Sequence, residues 1–101
     1  MGAECFCNRA NGKTAREAFE KLCEIAIHNY GNDPYNGTIS TCDIGRCTLT
    51  FNKYKKENVK KAMEHIEEME YGDKWYANYV DLGYDEKWKQ NFYIFYGWAA
   101  C

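Results

Sequence analysis

Several features are missing from this chain. Its 101 residues contain no apolar run of about eighteen residues, so no membrane-spanning helix is expected. Residues 1–4 lack a basic stretch followed by an apolar core, so we expect no secretory signal. Positive charge is not in excess, because the net charge is −2, and a nucleic-acid partner is not expected. One proline and eight glycines argue against a loop-rich, disulfide-held scaffold.

Sequence motifs for common catalytic chemistries are missing too. The chain has no Gly-rich phosphate loop, no His-Glu-x-x-His metal motif and no calcium-binding loop. Its two histidines, His28 and His65, stand without a neighbouring motif that would supply a nucleophile and an orienting group. An enzyme is therefore the least supported class, although a cysteine nucleophile stays open.

The chain does contain enough apolar residues for one packed domain. Hydrophobic residues make up 46% and charged residues 28%, which is typical of a single globular domain over positions 1–101. Three- and four-residue apolar spacing predicts two helices, over residues 14–30 and 59–69. Short apolar stretches rich in aromatic, Thr and Ile residues predict strands at residues 3–7, 38–42, 47–51, 75–82 and 91–99.

The order of these elements predicts the fold class. Thr14 and Glu17 fit a capping box at the start of the first helix. Ile44-Gly45-Arg46 is predicted as a hairpin turn between the second and third strands. The succession strand-helix-strand-strand-helix-strand-strand is similar to a ferredoxin-like α+β sandwich. We expect two helices packed on one face of a mostly antiparallel sheet of four to five strands.

Aromatic residues are concentrated near the end of the chain. Eleven of the seventeen fall within residues 71–101, and the last predicted strand is large on both of its alternating faces. One face can pack under the helices, and the other then needs a cover or forms a binding surface. The alternative is a tyrosine-rich sheet whose hydroxyls reach water. The candidate interface residues are Trp75, Tyr79, Tyr93, Phe95 and Trp98.

A second candidate site follows the predicted turn after the first helix. Small hydroxyl residues behind a glycine offer backbone N–H groups and hydroxyls to an anion or a nucleotide. The alternative is a plain turn that enters a strand, with Thr present for its strand preference. The candidate ligand-binding residues are Tyr35, Gly37, Thr38, Ser40 and Arg46.

Six cysteines raise the question of metal binding. Cys5 and Cys7 point the same way on a strand, and a hairpin would bring Cys42 close to Cys47. If the two strands met, these four thiolates could make a tetrahedral zinc site. Neither pair has the short knuckle spacing of a typical zinc site, so reduced thiols without metal are the alternative.

Four short segments carry a resemblance to a known group. The helix end Tyr30-Gly31 is followed by Tyr35-Asn36-Gly37-Thr38-Ile39, Asp73-Lys74-Trp75 and Phe95-Tyr96-Gly97-Trp98-Ala99. This pattern resembles a group of small uncharacterised proteins of bacteriophages and prophages. The chain departs from the group at Tyr76 and in the segment between Cys42 and Cys47. The resemblance implies a bacterial host cytoplasm and carries no activity or catalytic residue.

These observations lead to three alternative expectations for function. The first is a non-enzymatic phage binding protein that inhibits or modulates a bacterial host protein, such as a defence protein, through the aromatic surface. The second is a protein that binds or sequesters a nucleotide signal. The third is a zinc-stabilised interaction module. A homo-oligomer is compatible with the first expectation, and no membrane partner is expected.

Overall fold

The structure, a computed structural model, describes residues 3–30, 39, 42–72 and 74–100. Neither helix in this part of the chain is long and apolar enough to cross a membrane. In chain order the elements are β1 (Ala3–Gly12), α1 (Ala15–Tyr30), β2 (Asp43–Thr50), α2 (Lys56–Glu68), β3 (Tyr76–Asp85) and β4 (Gln90–Ala100).

The strands form one four-stranded sheet in the order β1-β4-β3-β2. β4 pairs antiparallel with both β1 and β3, and β2 pairs parallel with β3. The parallel pair is connected through α2, as a parallel connection requires a crossover. The α+β class, with two helices and a mostly antiparallel sheet, is confirmed, and the ferredoxin-like succession of elements is broadly as expected.

The helices cover opposite faces of the sheet, which differs from the expectation that both lie on one face. Phe19 of α1 packs in one cluster with Tyr93 and Phe95. Ile66 of α2 packs in a second cluster with Ile94. Adjacent strand residues point to opposite faces, so β4 contributes to both clusters. The two apolar sets of β4 are therefore each covered by a helix, and neither is left as an open aromatic face.

The first helix begins as its capping box predicts. The Thr14 hydroxyl accepts a hydrogen bond from the Glu17 backbone N–H at 3.2 Å. The Glu17 carboxylate in turn accepts from the Lys13 backbone N–H at 3.1 Å. The preceding strand is longer than predicted, because it stays paired with β4 as far as Gly12, opposite Asn91. Residues 8–12, which lie between the first strand and the first helix as predicted from the sequence, are therefore strand as well.

β2 runs as one strand from Asp43 to Thr50, although its register against β3 shifts between Ile44 and Cys47. The hairpin turn predicted at Ile44-Gly45-Arg46 is therefore wrong. A Cβ atom on Gly45 would overlap the side-chain oxygen of Asn78 on β3. The same oxygen accepts a hydrogen bond from the Arg46 backbone N–H at 3.0 Å. Gly45 is therefore required for the close approach of two strands, and this requirement resembles a turn signal in the sequence. Of the strand predicted over residues 38–42, only Ile39 and Cys42 lie within the described residues, and both precede β2.

Candidate functional site

Two of the predicted interface residues lie in the core. Phe95 is fully buried and Tyr93 is 5% exposed, so neither ring offers a surface to a partner. Tyr79 is half-buried, and its ring centroid lies 5.3 Å from that of Phe95 and 5.8 Å from that of Tyr93. Burial, with the nearby Asp81 carboxylate, raises the pKa of Tyr93 to about 12. These three rings form the α1 side of the sheet and stabilise the fold.

The two predicted tryptophans lie at the end of the sheet where β4 finishes. Trp98 is half-buried, and its indole Nε1–H donates to the Glu70 carbonyl oxygen at 3.1 Å. Trp75 precedes β3 and is 45% exposed. Trp75 is the only exposed residue among the five predicted interface residues. The predicted set is therefore divided between the core and one end of the sheet.

Trp75 is held by its backbone. Its φ of +74° lies in the left-handed region, which costs a residue with a Cβ atom roughly 1–2 kcal/mol. Its N–H donates to the Trp98 carbonyl oxygen at 3.1 Å, and its carbonyl accepts from the Asp43 N–H at 3.0 Å. These bonds tie the residue to the end of β4 and to the start of β2. An exposed tryptophan is thus fixed in a strained conformation by the strands on either side of it.

The surroundings of Trp75 form a mixed aromatic and cationic surface. The Lys74 ammonium lies 5.5 Å from the centre of the Trp75 ring, within range of a cation–π interaction. Tyr76 is 51% exposed. An open cleft of about 320 Å³ adjoins Tyr76 and is lined also by Ile44, Gly45, Arg46 and Asn78. We call Ile44, Arg46, Lys74, Trp75 and Tyr76 the Trp75 surface.

The predicted ligand-binding residues are only partly accounted for. Arg46 is exposed and lines the cleft. The other four lie outside the described residues: Tyr35, Gly37, Thr38 and Ser40. Tyr76 and Asn78 join Arg46 in the cleft, although the sequence pattern did not single them out for this role.

The structure does not bring the four predicted zinc ligands together. Cys5 and Cys7 lie on β1, whereas Cys47 lies on β2 and Cys42 just before it. β1 and β2 are the two edges of the sheet, three strand spacings of about 4.8 Å apart. Sulfurs that share one zinc ion must lie within a few ångströms of each other. Among the described residues, no group of three or more His, Cys, Asp or Glu side chains is arranged to hold a metal ion.

One polar cluster links α2 to the sheet. The Thr48 hydroxyl lies 3.1 Å from His65 Nε2 and 2.7 Å from the Tyr96 hydroxyl. It also donates to the Tyr79 carbonyl oxygen at 3.4 Å. An imidazole beside a hydroxyl resembles a base beside a nucleophile. Thr48 is partly buried and Tyr96 fully buried, however, so the bonds fix the helix on the sheet within a packed layer.

Other exposed aromatic residues lie away from Trp75. Tyr84, near the end of β3, is 42% exposed, and Trp88, in the turn between β3 and β4, is 61% exposed. Tyr76 is exposed and is the first residue of β3, a boundary that aromatic composition alone does not locate. Compared with models of known families, with curated proteins and with solved structures, the chain shows no match.

Proposed function

We propose that this chain is a non-enzymatic binding protein that docks a protein partner through the Trp75 surface. The proposal rests on the way in which the fold holds Trp75. Its backbone is bonded to two strands while its ring is 45% exposed. A side chain whose backbone is already ordered loses less conformational freedom on binding, and this favours affinity.

The composition of the Trp75 surface supports a protein partner. Trp, Tyr and Arg are the residue types that most often dominate the binding energy of protein interfaces. The surface holds one of each, in Trp75, Tyr76 and Arg46. The adjoining cleft gives a partner side chain a place to insert. Strain of the kind seen at Trp75 is concentrated at functional sites in proteins.

The partner that we propose is a bacterial host protein, for example a defence protein that the chain inhibits or modulates in the host cytoplasm. This part of the proposal rests on the resemblance of four short segments to small phage and prophage proteins. Two of these segments contain Trp75 and Trp98, whose backbones are bonded to each other.

Site-specific photocrosslinking in a bacterial host tests this function. A photoreactive phenylalanine analogue in place of Tyr76 should give one adduct of defined mass. The same analogue in place of Tyr84, at the other end of β3, is the control and should not give that adduct. Trp75→Ala should abolish the adduct at position 76, and Trp88→Ala should leave it intact. With the purified partner, Trp75→Ala should weaken binding by about 2 kcal/mol, roughly 30-fold.

Three outcomes would contradict the proposal. One is the absence of any specific adduct at position 76. Another is an adduct that Trp75→Ala leaves unchanged. The third is an adduct of twice the chain's own mass, which would identify a second copy of the chain as the occupant of the surface.

The cleft supports a second candidate function, the binding of a small anionic ligand such as a nucleotide. A volume of about 320 Å³ lies at the lower end of small-molecule sites, and Arg46 and Tyr76 offer charge and an aromatic ring. A nucleotide that binds there should raise the melting temperature in proportion to the logarithm of its concentration. Arg46→Ala should remove that rise. A broad nucleotide panel without any shift would count against this function.

A further inference from the structure

The side chains between β1 and α2 include two sulfur atoms in contact. The Cys7 Sγ atom on β1 lies 3.6 Å from the Met63 Sδ atom on α2. Both side chains are partly buried, and Met63 packs in the same apolar cluster as Cys7. A thiol and a thioether therefore face each other across the layer that joins the helix to the sheet.

A third sulfur lies on the same side of the sheet. Cys5 precedes Cys7 by two residues on β1, and alternate residues of a strand share one face. The Cys5 side chain is exposed, whereas Cys7 and Met63 are partly exposed. An ion from solvent can therefore reach the pair past Cys5 without an opening of the core.

We propose that Cys7 and Met63 form a binding site for a soft monovalent metal ion, Cu(I), with Cys5 as a third sulfur ligand. Thiolate and thioether sulfurs are soft donors that select Cu(I) over the hard cations. Zinc takes Cys, His or carboxylate ligands, and within the described residues no cluster of those groups is arranged for a metal.

The distance between the two sulfurs fits one shared ion. With metal–sulfur bonds of about 2.3 Å, two ligands of the same ion lie about 3.8 Å apart in tetrahedral geometry and about 4.6 Å apart in linear geometry. The observed 3.6 Å is slightly shorter than the tetrahedral separation, and a rotation of the flexible Met63 side chain opens it toward either geometry. Little movement of the backbone is needed for both sulfurs to contact the same ion.

The binding step is balanced without a redox partner. Cu(I) takes the place of the proton on the Cys7 thiol, so one Cu–S bond forms, one S–H bond breaks and a proton passes to solvent. The neutral thioether sulfur of Met63 donates a lone pair to the ion, and no bond of the Met63 side chain breaks. The copper stays Cu(I), and no electron is transferred.

Competition against bicinchoninate under anaerobic conditions tests the site. The full chain should take up one Cu(I) per molecule. Met63→Leu keeps the apolar volume but removes the sulfur, and it should weaken Cu(I) binding at least 10-fold. Met69→Leu is the matched control, because Met69 packs in the same cluster at the end of α2, and it should leave the affinity unchanged. Cys7→Ser should abolish tight binding, and Cys47→Ser should not.

Ag(I) and methyl-labelled methionine give a readout that is independent of the variants. One equivalent of Ag(I) should shift the methyl resonance of Met63 and leave that of Met69 in place. Metal uptake with an unshifted Met63 methyl would overturn the proposal, because a surface thiol alone would then hold the ion. Equal Cu(I) affinity of Met63→Leu and the unaltered chain would overturn it as well, and so would the absence of any uptake.

Discussion

The backbone N–H of Trp75 donates to the carbonyl oxygen of Trp98 at 3.1 Å, and this bond joins the residue before β3 to the end of β4. The Trp98 ring is itself anchored, because its indole N–H donates to the Glu70 carbonyl oxygen. The position of Trp75 is therefore set by backbone bonds to its neighbours. Its ring is left 45% exposed.

The left-handed conformation of Trp75 leads to a prediction about stability. Trp75→Gly should be more stable than Trp75→Ala by about 0.5–1 kcal/mol, because glycine adopts a φ of +74° without the steric cost that alanine meets. Urea denaturation of the two variants measures the difference. An alanine variant that is the more stable of the two would show that φ at this position is negative in solution.

Truncation should destabilise the fold much more at Phe95 than at Trp75. Phe95→Ala should lower the free energy of unfolding by about 3–5 kcal/mol, because its ring is fully buried between α1 and the sheet. Trp75→Ala should lower it by about 1 kcal/mol or less, because the ring is largely a surface group. Thermal denaturation followed by circular dichroism distinguishes the two variants. A loss of several kcal/mol in Trp75→Ala would assign this ring to the core and remove it from the binding surface.

Much of the fold could be predicted from the sequence because local signals agree with the final packing. The capping box at Thr14 and the apolar spacing of α1 and α2 are short-range patterns, and the helices formed where they indicated. The faces on which the helices pack depend on contacts between residues far apart in the chain. The alternating residues of the last strand showed that β4 is apolar on both faces. That observation is compatible with two helices on one face of the sheet and with one helix on each face.

The candidate site was harder to predict than the fold. Aromatic density singled out the end of the chain, but the burial of Tyr93 and Phe95 depends on α1, which comes much earlier in the sequence. The exposure of Tyr76 depends on its place as the first residue of β3. The contact between Cys7 and Met63 spans 56 positions, and no motif spacing encodes it.

Gly45 should tolerate no side chain while Asn78 is opposite. Gly45→Ala should destabilise the chain by about 1–3 kcal/mol, because the new Cβ atom overlaps the Asn78 oxygen that accepts the Arg46 N–H. Asn78→Ser shortens the side chain that the new Cβ atom meets. Gly45→Ala should therefore lower the stability less in the Asn78→Ser background than in the unaltered chain. A double-mutant cycle in urea measures the coupling. Additive effects of the two substitutions would contradict a direct clash and would favour a turn at Gly45.

Removal of divalent metal ions should leave the stability unchanged. Cys5 and Cys7 lie on one edge strand of the sheet and Cys47 on the other, and Cys42 is buried with its Sγ atom 3.8 Å from the Trp98 carbonyl oxygen. The four thiols are therefore not together, and EDTA has no zinc to extract from them. The melting temperature with and without EDTA is the measurement. A drop of several degrees in EDTA would show that a divalent ion stabilises the fold and would contradict this arrangement of strands.

Alkaline pH should destabilise the chain, and Cys23 and Tyr93 should contribute most of the loss, because their pKa values are raised furthest. Burial, reinforced by Cys42, raises the pKa of the Cys23 thiol from 9.0 to about 11. Burial and the nearby Asp81 carboxylate raise the pKa of the Tyr93 phenol from 10.0 to about 12. The folded state holds both protons more tightly than the unfolded chain. Its stability is therefore complete below the unfolded pKa values and falls as pH rises from about 9 to 11 for Cys23 and from about 10 to 12 for Tyr93.

Urea unfolding at successive pH values separates the two contributions. Cys23→Ala should flatten the first part of the decline, and Tyr93→Phe should flatten the second, because each variant removes the group that titrates there. If Cys23→Ala and Tyr93→Phe together lose stability as steeply as the unaltered chain, then the alkaline transition arises elsewhere and the proposed burial of these two groups does not cause it.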